Sequence, residues 1–326
     1  VGEKLLLEDH HREILRSFYS TFKGADEYLK FVLLTGVTKF SQVSVFSDLN
    51  QLNDISMKSP YAALCGITKE ELVKTFLPEL ERLAKRRGIS LQEVIDLMER
   101  QYDGYHFHPE GVGMFNPFSV LNAFDAEEMG YYWFQTGTPT YLVDLLKQSD
   151  YDIRLLIDGV EVLASAFSEY RAETNNPLPM IYQSGYLTIK GYDDDVKLYT
   201  LGFPNDEVRY GFLNFLVPYY TNVSNDETGF HIAKFMRELK SGDVEAFMER
   251  LKIFFSGIPY ELSDDTERHY QVIFHVVFTL LGQFIRSEVR SSRGRADAVV
   301  HTPTAIYVFE FKLDGTADAA LKQIDE

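Results

Sequence analysis

The chain has 326 residues, of which 45% are hydrophobic, enough for two or three domains with ordinary cores. Its formal net charge of −17 cuts against non-specific nucleic-acid binding, which depends on Lys and Arg neutralising phosphates. Cys65 is the only cysteine, which excludes a disulfide framework and a cysteine-built zinc site, and its expected state is a buried, inert thiol. No apolar run reaches about 18 residues, and the opening Val1-Gly2-Glu3-Lys4-Leu5 lacks a signal-peptide pattern. A cytoplasmic protein with no membrane partner is expected.

In chain order, residues 8–23 read as a helix. Phe31-Val32-Leu33-Leu34-Thr35 is a short apolar run ending at Gly36, readable as a buried strand. Thr68-Lys69-Glu70-Glu71 is a capping box that opens a helix to about Arg87, stopped by Gly88. Ser90-Leu91-Gln92-Glu93 is a second box, starting a helix to about Tyr102. Asp103, His106 and His108 lie in a Tyr- and Gly-rich stretch. The His-x-His spacing puts both rings on one side of an extended strand, but no third clear ligand accompanies them, so a structural role is expected. Helices are expected over 117–127 and 139–149. Tyr186 to Lys190 and Val196 to Leu201 flank Gly191-Tyr192-Asp193-Asp194-Asp195 as a β-hairpin. Helices follow over 228–240, 243–255 and 264–282. In the last of these, Tyr270, Ile273, Phe274, Val277 and Leu281 fall at core spacing, and Glu267 lies on the same broad face. Phe284 to Arg290 reads as a strand, and Ala317 to Glu326 as the start of a helix.

Between them lies the most informative stretch. Val299-Val300 and Ile306-Tyr307-Val308-Phe309 read as strands around a turn punctuated by Pro303. A hairpin centred between Pro303 and Thr304 places Asp297 opposite Glu310 and Arg295 opposite Lys312. Side chains alternate along a strand, so Glu310 and Lys312 share one face, and opposite residues share it too, with Cβ atoms about 5 Å apart. Two readings fit. One is a solvated hairpin with cross-strand ion pairs, each worth under about 1 kcal/mol. The other is a metal site. Two adjacent carboxylates repel unless a cation sits between them, and hard oxygen donors suit Mg²⁺ or Mn²⁺. A lysine beside them would orient an attacking water or stabilise charge building on a phosphate. The local charge permits phosphate contact: Arg286, Arg290, Arg293, Arg295 and Lys312 outnumber Glu288, Asp297 and Glu310.

Asp297, then Glu310-Phe311-Lys312, then Gln323 on a following helix resembles the PD-(D/E)XK nuclease superfamily. The closer resemblance is to a bacterial family in which an AAA-ATPase-like domain precedes such a nuclease domain. It is carried by Gly294-Arg295-Ala296-Asp297, by Ile306 to Gly315, by Ala319 to Ile324 and by Glu267-Arg268-His269-Tyr270-Gln271. Upstream, Phe31 to Phe40, Tyr102 to Phe107, Asn116 to Ser119 and Tyr132 to Gly137 match as well. The resemblance implies Asp297 and Glu310 as metal ligands, Lys312 as catalytic lysine and Gln323 as an active-site helix residue. Glu267 is an extra acid, with Glu288 competing for a second metal. The implied partner is nucleic acid, DNA before RNA. The chain departs from the family in lacking G-x-x-x-x-G-K-[ST], so ATP binding is not expected and the nucleotide-binding half is read as missing.

The expected fold is mixed α/β (α+β). Residues 1–150 would be the C-terminal part of the AAA-ATPase-like domain. Residues 151–227 would be a helical and hairpin module, winged-helix-like by analogy. Residues 228–326 would be a restriction-endonuclease-like αβββα core. That core needs a further strand, so the natural protein is expected to continue beyond Glu326. The alternative function is a catalytically inactive nuclease-fold scaffold serving as an interaction or regulatory module.

Overall fold

The structure, a computed structural model, describes residues 2–36, 53–135, 142–143, 145–146, 149, 151–167, 176–221, 223–256, 266–282 and 298–310. It is a mixed helix-and-sheet protein in which the sheets are small and antiparallel. Two compact units form, each discontinuous in sequence. One comprises 1–132, 140–151 and 159–205, and the other 133–139, 152–158 and 206–326.

In the first unit, α1 runs Gly2–Gly24. The run after it does not form the expected buried strand. Residues 31–36 are without regular structure, and Phe31 is 80% exposed. A strand is held by ladder partners and a covered face, and among the described residues this segment has no ladder. β1 (Ile67–Thr68) leads into α2 (Lys69–Thr75), and the Thr68 box is present. The Glu71 amide donates to Thr68 Oγ1 at 3.2 Å, and the Thr68 amide to Glu71 Oε2 at 2.9 Å. The single helix expected to Arg87 is two, because a second helix, α3 (Leu77–Arg87), starts after Phe76. Pro78 has no N–H to give the Lys74 carbonyl and its ring would clash there, so the helix restarts with Pro in its first turn. Gly88 ends α3 in the left-handed region at φ 66°. The Ser90 box starts α4 (Leu91–Tyr102), and Asn116 caps α5 (Pro117–Ala126) after β2 (Met114–Phe115). Leu80, Leu83, Val94, Met98, Tyr102, Phe115 and Val120 make the core. The buried Tyr102 hydroxyl is satisfied at both ends of Gly130, donating to its carbonyl at 3.0 Å and accepting from its amide at 2.9 Å. Cys65 is exposed, against expectation.

The expected hairpin is present as β4 (Thr188–Asp193) and β5 (Leu198–Gly202), preceded by α6 (Leu178–Gln183). Unforeseen, β3 (Val160–Val162) pairs with β5, giving the order β3-β5-β4. The loop after α4 is tied to this sheet. The His106 amide donates to Thr188 Oγ1 at 2.7 Å, and that hydroxyl donates to the His106 carbonyl at 3.0 Å. His106 Nδ1 lies 3.0 Å from the Gly111 carbonyl, so it carries the ring proton. His108 Nδ1 accepts from the Glu110 amide at 3.2 Å. Each histidine is thus tied through Nδ1 to the backbone of its own loop. Lys190 Nζ donates to the Pro204 carbonyl at 2.9 Å, and burial holds this ammonium below its ordinary pKa. Burial likewise raises the Asp103 carboxyl.

The second unit includes the short helix Ile153–Asp158 and α7 (Asp206–Thr221). Then α8 (Asn225–Ser241) opens on a Ser224–Glu227 capping box and closes on Gly242 at φ 77°, and α9 (Val244–Ser256) follows. Buried Glu238 of α8 accepts from Arg250 of α9 at 2.6 Å. Next comes α10 (Thr266–Leu281), where Ile273, Val277 and Leu281 are buried as the spacing predicted, and Phe274 stacks on Phe278 at 4.6 Å between ring centroids. β6 (Ala298–His301) and β7 (Ile306–Phe309) close the described part.

Two predictions follow from these packings. Gly104 has φ 92°, and a Cβ there would sit 2.2 Å from the Pro204 carbonyl oxygen. Gly104→Ala therefore costs left-handed strain plus a backbone clash, about 3 kcal/mol together, read as a lower denaturant midpoint. The His231 ring sits among Phe230, Phe235 and Phe254. Burial first, then the charge of Arg250, lowers its pKa, while Glu227 and Glu238 pull the other way. A lowered folded value means the unfolded state takes its proton first. Stability is then lost as pH falls from about 6.5 through the folded value. His231→Phe should flatten that limb of a stability-against-pH curve.

Candidate functional site

The site region starts from a turn. The Thr302 amide donates to the Ala305 carbonyl at 2.8 Å, and the Ala305 amide donates to Thr302 Oγ1 at 3.0 Å. Pro303 fits its first central position because its φ is already set near −65°. The flanking strands pair antiparallel as Ala298↔Phe309, Val299↔Val308, Val300↔Tyr307 and His301↔Ile306. This is the expected register, centred between Pro303 and Thr304.

Alternation then sorts the side chains. Phe309 packs on Phe278 of α10 at 4.8 Å and Phe247 of α9 at 5.4 Å between ring centroids. The Tyr307 hydroxyl donates to the Leu239 carbonyl near the end of α8 at 2.7 Å, and Val300 opposite it is fully buried. Ile306 and Val308 point the other way and are 64% and 41% exposed. Glu310 follows Phe309 directly, so the period of two places it on the face of Ile306 and Val308, away from the aromatic contact. Its side chain is half-buried, and carboxylate oxygen Oε2 is buried outright.

Glu267 is the second residue of α10, eleven positions before Phe278 and thus about three turns nearer the helix start. Its side chain, and Asp297, Lys312, Gln323 and Glu288 entirely, lie outside the described residues. The strand over 284–290 and the helix from Ala317 lie outside them as well. Among the described residues no three His, Cys, Asp or Glu side chains form a metal-binding group. The sequence reading singled out the carboxylates but not the residues that hold the hairpin down. Their signal was present, because Tyr307 and Phe309 put the two aromatic side chains of this strand at the same alternation phase.

Comparison with known proteins now bears on this hairpin. Residues 265–326 match the family model described as the PD-(D/E)XK nuclease superfamily, which contains α10, the turn and Glu310. Residues 3–46 match the model described as a predicted AAA-ATPase. The chain joins an AAA-ATPase-like segment to a PD-(D/E)XK nuclease-superfamily domain. It is also 34% identical over 334 residues to an uncharacterised protein in the vnfD 5′ region of Azotobacter chroococcum mcd 1. That alignment takes in 97% of this chain and 60% of the relative, so the chain spans well under the relative's full length. No solved structure matches. No helix among the described residues is long and apolar enough to cross a membrane.

The nuclease-superfamily hairpin is seated by two side chains whose removal has different costs. Phe309→Ala should lower stability by about 2–3 kcal/mol through lost burial and the cavity left beside Phe278. Tyr307→Phe should cost only about 1 kcal/mol, the net worth of one hydrogen bond. Amide hydrogen exchange over 298–309 checks both: the alanine variant speeds it strongly, the phenylalanine variant little.

Proposed function

We propose that this protein is a metal-dependent nuclease that hydrolyses phosphodiester bonds of DNA or RNA. Asp297 and Glu310 are the metal ligands, Lys312 assists the attacking water, Gln323 completes the site from the following helix, and Glu267 is the reserve acid. The observation that carries this reading is the ladder. All four described pairs stand in the register that an Asp297–Glu310 juxtaposition requires, within a stretch that matches the nuclease superfamily. The donor set fits the implied ion. Glu310 brings a carboxylate whose Oε2 is withdrawn from water, on the sheet face that the aromatic core leaves uncovered. Oxygen donors of this kind favour Mg²⁺ or Mn²⁺.

The roles follow from charge. A bound divalent ion would supply positive charge beside the scissile phosphate. Continuation of the described register by one pair beyond Ala298↔Phe309 would hold the Asp297 and Glu310 carboxylates at a set spacing. Lys312, two residues beyond Glu310 in sequence, is the cation that would act on the water or on the phosphate oxygens. The rigid seating of β7 on Phe247 and Phe278 keeps the spacing from drifting. A cytoplasmic location accompanies this reading. Residues 1–150 are assigned to the AAA-ATPase-like part, 151–227 to a connecting module and 228–326 to the nuclease-like domain.

The net charge of −17 favours a second reading, a nuclease fold kept as a scaffold. Mn²⁺ calorimetry on the protein beside Glu310→Ala separates the two. The nuclease reading expects about one ion per chain, lost in the variant, and an Asp297→Ala cleavage rate at least 100-fold down. Absence of Mn²⁺ binding to the unmodified protein would leave the scaffold reading standing.

A further inference from the structure

We infer that the seam between α8 and α9 is an acid-sensitive latch on the nuclease-like hairpin, with His231 as its sensing group. The inference rests on the nuclease reading, because it assigns a regulation to that site.

The two helices grip β7 at two points. The Leu239 carbonyl of α8 takes the Tyr307 hydroxyl, and Phe247 of α9 packs on Phe309. A change in how α8 meets α9 therefore moves one grip relative to the other. His231 stands in that seam, with Phe254 of α9 at 5.5 Å and Phe235 of its own helix at 6.2 Å between ring centroids. Phe235 meets Phe247 at 5.3 Å, and Phe247 meets Phe309 at 5.4 Å. Four rings thus run in contact from the imidazole to the residue beside Glu310. Phe235, Phe247 and Phe254 are buried, and a close-packed interior gives a displaced ring little slack.

His231 Nδ1 is itself buried, and it has no hydrogen-bond partner among the described residues. A neutral imidazole with its proton on Nε2 leaves only a lone pair unmet there. Protonation makes both ring nitrogens donors, so a charged N–H is left unmet instead, which is the more unfavourable orphan. No described carboxylate is placed to meet it. Glu227, one turn earlier on α8, is held at the helix start by the Ser224 amide and hydroxyl. Glu238, seven residues on and about 10 Å along the axis, is taken by Arg250. Arg250 is the α9 charge that acts on the ring, and it repels an imidazolium. Lys234 Nζ sits 5.5 Å from the Phe230 ring centroid. Among the described residues, α7 and α10, which also pack on α8, add no charge that acts on the ring. Burial first, then Arg250, lowers the His231 pKa against the opposing pull of the two glutamates. Parting the helices relieves both, since it lets water reach Nδ1 and moves Arg250 away. The closed seam thus resists a proton that the parted seam accepts. The latch is shut above about pH 6.5 and loosens as pH falls below it.

The test is amide hydrogen exchange of the full chain at about pH 7.5 and about pH 5.5, without metal or nucleic acid, expressed as protection against the intrinsic rate at each pH. Over 298–309, protection should fall about threefold more in the unmodified protein than in His231→Phe, which cannot take the proton. His231→Gln, neutral and polar, should match His231→Phe and replaces it if phenylalanine overpacks the seam. The same pH response in the unmodified protein and the His231 variants overturns the inference. So does a fall that spreads equally to α3 and α4, which marks loss of the whole fold rather than of one seat. Mn²⁺ calorimetry at the same two pH values reads the link to the site. Protonation of the ligand carboxylates is common to both proteins and cancels, so acidification should weaken Mn²⁺ binding about threefold more in the unmodified protein than in His231→Phe. An equal loss in both overturns the link. Absence of Mn²⁺ uptake by either protein at the higher pH tells against the nuclease reading, and the exchange result still decides the latch.

Discussion

Everything proposed for this chain depends on one packing contact, the insertion of Phe309 between Phe247 and Phe278. An isolated two-stranded hairpin is marginal in water, because it has too little face to bury. Here one face carries Tyr307 and Phe309 into helices α8, α9 and α10, and Val300 is sealed beneath them. The period of two then fixes the other face without further instruction. A residue directly after Phe309 must project away from the core, and Glu310 is that residue. A register slip of one would turn the phenylalanine out of the core, so the core that seats the hairpin also sets the orientation of its acid.

The hairpin was legible in advance because its signals are local. Pro303 fixes the turn, and alternation fixes the register. The capping boxes at Thr68 and Ser90 are equally local, and both are present. What was misread depends on partners distant in sequence or on a competing residue. The break at Phe76 needed Pro78 to be weighed against a helical pattern that otherwise continues. The run from Phe31 has a strand's composition, but composition supplies no ladder, and the segment stands exposed. Pairing of β3 with β5 joins residues some 40 apart, and nothing in Val160–Val162 names its partner. Asp103 and Gly104 read as a loop beside two histidines. Their physical role is to let the backbone pass within contact of Pro204, and only the φ of Gly104 shows it.

The site was legible as residue types, not as contacts. Asp297, Glu310 and Lys312 stood out because the expected hairpin register puts them on one strand face and because the phrases around them resemble a nuclease superfamily; spacing alone fits a solvated hairpin as well.

The net charge of −17 is the strongest sequence argument against a nucleic-acid ligand. Net charge governs long-range behaviour, but at physiological salt a field decays over about 8 Å, so a phosphate responds to the charges within one or two side-chain lengths. Several of the acids here are engaged locally. Glu71, Glu93 and Glu227 accept backbone amides at helix starts, and Glu238 holds Arg250. Buried Glu207 accepts the Trp133 amide at 3.0 Å. Each does structural work facing a helix end or an interior partner. Carboxylates engaged in this way add to the net charge without facing a bound polyanion. Overall repulsion slows the approach of a polyanion without preventing contact once it arrives, which places the cost of the acidic composition on association rate more than on the bound state.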